Sequence, residues 1–237
     1  MIFRNRFLSG LAGDDLEAIA PHLREAALSP GEILIEAGSR AGRLYFPSSA
    51  VVSEGVLLTD GRTVETESVG VEGVVGLAAA MMDAPQFTRA FTRIGGAAMA
   101  IDADVVMARA AVSRPLHALL MTGLVRLHIQ SRLAVFCMAH HVLSQRLARW
   151  LLVTADRTGS PTFPMTQHDM ATLTGTQRTS VHASAFDLKT RGLLHYSRGQ
   201  VTLLDRPALE AEACACYRAV QAIDADVRGT PVPVLGV

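Results

Sequence analysis

The sequence predicts an α+β chain: a small N-terminal antiparallel β-roll, one long helix, and a C-terminal helix–turn–helix followed by a two-strand ribbon. Three observations predict it. Between Ser29 and about Ile101, short apolar runs are punctuated by glycine ("GEILIEAG", "RLYFPSSAVVS", "GVLLTDGRTVETESVG"), the texture of short antiparallel strands. From Pro115 to Met138 the chain is helical in pattern for 24 residues, or ~36 Å of helix. From Thr166 to Val181, small and polar residues surround a single glycine between two helical patterns.

The elements follow in order. Residues 8 to about 25 read as an opening helix, with Leu8, Leu11, Leu16, Ile19 and Leu23 near helical spacing and Pro21 disturbing the last turn. In the roll, Asp60-Gly61 between apolar and β-branched residues is a hairpin signal. Ser113 is placed to cap the long helix and Pro115 to sit in its first turn. Leu120, Leu124, Leu127, Ser131, Ala134 and Met138 alternate four and three apart. That spacing is read as a dimer seam, in preference to the alternative of a core helix packed on its own roll. Gly123 inside this helix costs ~1 kcal/mol relative to alanine, which suggests a close backbone approach. A further helix is expected over about His140 to Ala155, with Leu143, Leu147, Trp150 and Leu151 on one face, before "DRTGSPTFP" breaks it. A final helix runs to about Ile223, and the tail "RGTPVPVLGV" is expected to be disordered. The expected domains are a roll over 1–112, a dimer helix over 113–138 and a DNA-binding domain over 139–237.

The stretch "ATLTGTQRTSV" has a steric logic. Thr166 followed by Asp169 is a capping-box-like helix start. Ala171 is small where another helix crosses closely. Gly175 can take the positive φ of a tight bend. Val181 can pack back from the second helix onto the first. Small, then glycine four on, then β-branched six on, is the skeleton of a helix–turn–helix. The polar residues between are what a recognition helix offers to a DNA groove. The second helix stops at Gly192, and "LLHYS", Arg198-Gly199 and "QVTLLD" then form a wing. From Ser144 to Arg206 there are eight Lys or Arg against four Asp or Glu, which suits a phosphate-facing surface.

Composition excludes other classes. The chain has 237 residues, with 22 basic and 22 acidic residues in balance. Three cysteines, Cys137, Cys214 and Cys216, are too few and too odd in number for a disulfide framework. No apolar run approaches the ~20 residues of a membrane span, and no secretory signal opens the chain, so a cytoplasmic protein without membrane partners is expected. A roll-type metalloenzyme needs inward histidines, and none lies between His22 and His117. No Ser-His-Asp, phosphate-loop or HExxH pattern appears, so no enzyme is expected. Cys214 and Cys216, read as i and i+2 of one helix, point to different faces. His117, His128, His140 and His141 read as structural or solvated. No metal site and no cofactor are expected.

With these residues in view, the sequence resembles the CRP/FNR family of bacterial transcription regulators. Met165 to Val181 is similar to that family's helix–turn–helix. "GLLHYSRGQVTLLDRPALEAEACACY" is similar to its wing and last helix, and "GEILIEAG", "LYFPSSAVVS" and "VGVEGVVG" resemble its sensor roll. The resemblance implies a cyclic-nucleotide-binding-like roll, a long dimer helix and a winged helix–turn–helix. It further implies a homodimer on near-palindromic double-stranded DNA, with RNA polymerase as a partner if the protein activates. Arg178 matches the arginine that members commonly place in the groove. Thr179 stands where members often have glutamate, and Ala183 where a second arginine often follows, so Gln177, Thr179, Ser180 and His182 are the remaining polar candidates. Lys189 and Arg198 are expected on phosphates.

Cyclic-nucleotide binders in this family show Gly-Glu-Leu and then Arg-Ser-Ala. Here the segments are Gly76-Leu77-Ala78 and Thr88-Arg89-Ala90, which lack the carboxylate and alter the order. Gly76, Leu77, Thr88 and Arg89 are the candidate effector residues, and cyclic AMP is disfavoured. Iron–sulfur sensing of the FNR type needs N-terminal cysteines, and none precedes Cys137. The function expected is a sequence-specific DNA-binding regulator with an unidentified effector. The alternative is a cyclic-nucleotide-binding-like interaction or sensor module without a direct DNA role.

Overall fold

The computed structural model describes residues 3–11, 13–57, 59 and 63–225. It divides into two compact units, Met1–His128 and Ile129–Val237.

The first unit opens with α1 (Arg6–Ser9), capped by Asn5, whose side-chain oxygen accepts from the backbone N–H of Phe7 and Leu8. The buried amide of Asn5 also donates to the carbonyls of Pro47 and Gly73, both at 3.0 Å, so one side chain ties the helix to a strand end and a loop. The single opening helix expected over residues 8–25 is instead α1, then α2 (Gly13–Ile19), then a 3-10 turn (Ala20–His22). Gly10 ends α1, Pro21 tightens the turn, and Leu23 at φ −68°, ψ 137° sends the chain into the roll five residues earlier than expected. Strand β1 (Arg24–Leu28) forms a sheet with β3 (Arg43–Pro47) and β7 (Gly96–Asp102), in the order β1-β7-β3. The facing sheet is β2-β6-β4-β5, with β2 (Ile33–Ile35), β4 (Val51–Leu57), β5 (Thr63–Val69) and β6 (Arg89–Ile94). Every pairing is antiparallel. The hairpin expected at Asp60-Gly61 lies outside the described residues, but its arms pair from Leu57↔Thr63 to Val52↔Val69.

Two helices interrupt the roll's ends. One is α3 (Leu77–Met82); the other, α4 (Ala103–Val112), starts after Asp102 and had no counterpart in the sequence reading. Buried Asp15 of α2 holds α4 in place, accepting from Arg109 Nε at 2.7 Å and from Ser113 Oγ at 2.8 Å. Ser113 does cap the long helix, its Oγ accepting from the N–H of Leu116.

That helix is α5 (Arg114–His140). Leu116 and Leu120 are fully buried in the roll's own core with Phe7, Leu44, Phe46 and Val106. Leu120 therefore cannot line a dimer seam, and Leu124 and Leu127 are half-buried against the same roll. Ser131 and Ala134 are half-buried, and Met138 is exposed. A seven-residue repeat generates a second stripe one position along, and this one faces outward: Met121, Val125 and Val135 are 43%, 44% and 71% exposed. The leucines went inward because half of this helix roofs the roll. A Cβ on Gly123 would lie 2.8 Å from Leu77 Cδ2, so the glycine does mark a close approach.

The second unit is built on α6 (Leu143–Thr158), most of which is buried, with Leu147, Leu151 and Leu152 fully so. Then come β8 (Thr162–Pro164), α7 (Gln167–Thr174), α8 (Arg178–Thr190), β9 (Leu194–Ser197) and β10 (Gln200–Leu203). The ribbon has three strands rather than two, in the order β8-β10-β9. The expected final helix is two pieces, α9 (Arg206–Glu212) and α10 (Cys216–Ala225). A hydrogen-bonded network around the buried Tyr217 ring pins both to α6. Arg206 Nη2 donates to Asp156 at 2.6 Å and to the Tyr217 hydroxyl at 2.5 Å, and that hydroxyl donates to Asp156 at 2.8 Å. Burial, then the Asp156 carboxylate, raises the Tyr217 phenol well above its usual value, so it remains a donor. The tail after Ala225 lies outside the described residues.

Candidate DNA-binding site

The site is assembled by local chemistry. Thr166 Oγ1 accepts from the N–H of Asp169 at 3.2 Å, and the Asp169 carboxylate accepts from the N–H of Thr166 at 2.8 Å. These reciprocal bonds satisfy donors that a helix start leaves orphaned. α7 ends at Gly175, which has φ +63° and ψ 35°, a conformation that side-chain-bearing residues rarely adopt. The bend turns the chain into α8, whose inner face is Val181, Ala185 and Leu188, all fully buried. Ala171 of α7 is buried as well, as a close helix crossing requires.

The opposite face of α8 is in solvent. Gln177 sits at its N-cap position and Arg178 at its first turn, and Thr179, Ser180 and His182 follow, all exposed. Arg178 Nη2 donates to His168 Nδ1 at 3.0 Å, and Gln167 Nε2 donates to His182 Nδ1 at 2.9 Å. Two cross-links from α7 thus hold the leading side chains of α8 before any ligand arrives. Phe186, 57% exposed on the same helix, was not singled out from the sequence. It follows His182 by one turn and stacks on it at 6.3 Å, and its signal was a large apolar residue on a face otherwise polar.

The wing turns at Arg198 and Gly199, both with positive φ (50° and 76°), as a two-residue hairpin requires. Arg198 is exposed at the tip. Lys189 lies 4.9 Å from the Tyr196 ring centroid, so its ammonium is braced by the wing. The eight basic residues of this region do not act as one patch. Arg149 and Arg157 are buried, and Arg191 and Arg206 pair with carboxylates. Arg178, Lys189 and Arg198 carry the charge offered to solvent on α8 and the wing.

Of the four candidate effector residues in the roll, Gly76 and Thr88 meet at one buried carboxylate, Leu77 lies in the core and Arg89 is ion-paired. Leu77 is buried in the hydrophobic core, which removes it from any ligand-facing surface. Gly76 (φ +83°) is a packing position, where a Cβ would meet Ile35 Cδ1 at 2.9 Å. Thr88 Oγ1 donates to buried Glu54 at 3.2 Å, and the Gly76 backbone also hydrogen-bonds to that carboxylate. Arg89 is paired with Glu36 at 2.9 Å, and Arg93 with Glu65 at 2.5 Å. The roll therefore supplies its own carboxylates to both arginines. Burial pushes the Glu54 carboxyl up, against the opposing hydrogen bonds from Thr88 and Gly76. A raised folded value means that Glu54 supports the fold fully below the ordinary value of 4.5, and that this support is lost as pH rises through the folded value. Glu54→Gln keeps an acceptor and removes the charge. We expect it to melt higher than the parent at neutral pH, with the gap closing on acidification; a gap that widens in acid would contradict this.

The cysteines depart from the sequence reading. Cys214 and Cys216 do not share a helix: α9 ends before Ala213, and α10 begins only at Cys216. Both thiols turn to one side and meet Cys137 from α5 and His141 from the following loop. The four ligand atoms lie within 4.8 Å of one another. Hydrogen bonds from Cys214 and then Cys216 hold the Cys137 thiol well below its ordinary value, despite burial. Of the adjacent histidines, His141 alone joins the group.

No helix among the described residues is long and apolar enough to cross a membrane. No curated protein matches the chain. The Crp-like helix-turn-helix domain family matches residues 145–212. Among solved structures, FixK2 from Bradyrhizobium japonicum is similar at TM-score 0.70 and 17% identity, over 81% of this chain and 97% of that one. A protein from Eubacterium rectale described as a transcriptional regulator of the crp/fnr family is similar at TM-score 0.68 and 18% identity, over 91% and 99%. A CRP-family transcriptional regulator from Thermus thermophilus is similar at TM-score 0.65 and 22% identity, over 79% and 96%. With its antiparallel roll, long helix, capped helix–turn–helix and wing, the chain has the fold of these CRP/FNR-type structures, and residues 145–212 match the Crp-like helix-turn-helix domain.

Proposed function

We propose that the protein is a homodimeric, sequence-specific DNA-binding regulator of transcription. The observation that carries the reading is the exposed polar face of α8, led by Arg178 and pre-held by His168 and Gln167. Arg178, Gln177, Thr179, Ser180 and His182 read base edges in the major groove, and Lys189 and Arg198 grip phosphates. Phe186 is suited to a thymine methyl. Two such helices enter grooves about 34 Å apart on a near-palindromic site. The regulator is cytoplasmic and catalyses no reaction, and it contacts RNA polymerase if it activates. The roll answers to an effector other than cyclic AMP.

The dimer face we assign is the outward stripe of α5, Met121, Val125 and Val135, flanked by Leu124, Ser131 and Ala134. Exposed aliphatic side chains at heptad spacing support this. Selection from random duplexes is expected to return sites with two-fold symmetry. Val125→Glu with Val135→Glu is expected to sediment as a monomer and to lose operator binding at least tenfold. Retrieval of half-sites alone, or a dimer undisturbed by both charges, would remove the dimer from the proposal.

A further inference from the structure

Within the unit 129–237, three thiols and one imidazole converge from three places in the chain: the end of α5, the loop after it, and the joint between α9 and α10. We propose that Cys137, His141, Cys214 and Cys216 bind a single thiophilic divalent cation of the zinc class as a closed Cys3His site.

The spacing is that of ligands around one ion. Bonds of about 2.3 Å to sulfur and 2.0–2.1 Å to nitrogen put tetrahedral ligand atoms about 3.5–3.8 Å apart. Cys137 Sγ lies 3.5 Å from Cys214 Sγ, and Cys216 Sγ lies 3.7 Å from His141 Nδ1. All four atoms fit within 4.8 Å, too compact for an iron–sulfur cluster to sit among them. Three sulfurs and one imidazole without a carboxylate select zinc-like ions over magnesium or calcium. Four protein ligands close the shell, as in a structural site. All three cysteines are buried, and the Phe136 ring packs edge-on against His141 at 5.4 Å, which orients the imidazole.

Charge supplies an independent argument. Arg149 is 5% exposed, stacks on Trp150, and has an Nε without a hydrogen-bond partner. No carboxylate pairs with it among the described residues, and it acts electrostatically on Cys137 and Cys214. A buried cation left uncompensated is costly. Three thiolates around a divalent ion leave one negative charge, which this guanidinium balances.

Such a site would fix the end of α5 to the bend that presents α8. Met138 follows Cys137 directly, and its Cε stands 2.8 Å from where a Cβ on Gly175 would lie. The ligation thus pins the residue that seats the helix–turn–helix bend.

The test uses the full chain, reduced and stripped with a chelator, then titrated with Co2+. Saturation at a single ion per chain, with tetrahedral d–d bands and a sulfur-to-cobalt charge-transfer band that zinc bleaches, is the expected result. Cys214→Ser and Cys216→Ser should lose the charge-transfer intensity stepwise, and zinc should raise the melting temperature of the stripped parent by several degrees. Because the parent protein is itself titrated, the result stands even if a variant misfolds. No saturable cobalt spectrum from fully reduced parent protein would overturn the proposal. So would an undiminished spectrum in the Cys214→Ser, Cys216→Ser double variant, or a Cys137–Cys214 disulfide in protein purified without metal and refractory to loading after reduction.

Discussion

Val181→Asp is expected to destabilise the winged helix by about 3–5 kcal/mol, the cost of an uncompensated buried charge. Val181 has no exposure and lies on the inner face of α8, where Ala185 and Leu188 continue the same buried row. An aspartate there has no cation to meet, because the basic residues of α8 and the wing point outward. The loss is a large share of the 5–15 kcal/mol that typically holds a domain together. Thermal melts and hydrogen exchange over 145–212 would report it. Thr179→Asp is the matched control: two residues away and exposed, it should melt within about 0.5 kcal/mol of the parent and yet bind DNA poorly, by charge repulsion alone. A Val181→Asp protein that melts like the parent would mean that the buried face of α8 has been misassigned.

Arg178→Ala is expected to weaken binding to the selected operator by about 5- to 150-fold, the equivalent of 1–3 kcal/mol for one bidentate contact to guanine. Binding to random duplex should fall much less, since it depends on phosphate neutralisation. The structure adds a partner to this prediction. His168 holds the guanidinium at 3.0 Å, so part of the ordering cost is met before binding. His168→Ala should therefore lower operator affinity by a smaller factor without changing which bases are preferred. Equal losses on operator and random duplex in Arg178→Ala would make this arginine a phosphate clamp and shift specificity to Gln177, Thr179, Ser180 and His182.

The legible parts of this protein share a cause. Thr166 with Asp169, Gly175, Val181 and Arg198-Gly199 each act within a few residues of themselves, through capping, backbone sterics or turn geometry. A chain need not be folded for those requirements to be visible. The fold class followed from the same kind of evidence, strand texture followed by helix texture. α4 was missed because its start lies directly after a strand at Asp102, with no loop to separate the two textures.

What stayed hidden depends on partners distant in sequence. A heptad pattern defines a stripe but not what the stripe touches. Leu120 faces the roll because Phe7, Leu44 and Phe46 are there to receive it. The basic surplus of the C-terminal region looked uniform until folding buried Arg149 and Arg157 and gave Arg191 and Arg206 to carboxylates. Gly76 and Thr88, twelve residues apart, share the buried carboxylate of Glu54, a meeting that their sequence spacing does not reveal.

The amino-acid sequence by itself determined that this chain would build a roll, a long helix and a winged helix–turn–helix with Arg178 at the head of its exposed polar face, because each of those features is local sterics. Only the tertiary structure decided which side of α5 is free, which cations remain unspent, and that Cys137 meets Cys214 across 77 residues of chain. Burial and proximity are properties of the packed whole, and periodicity along one strand of sequence does not contain them.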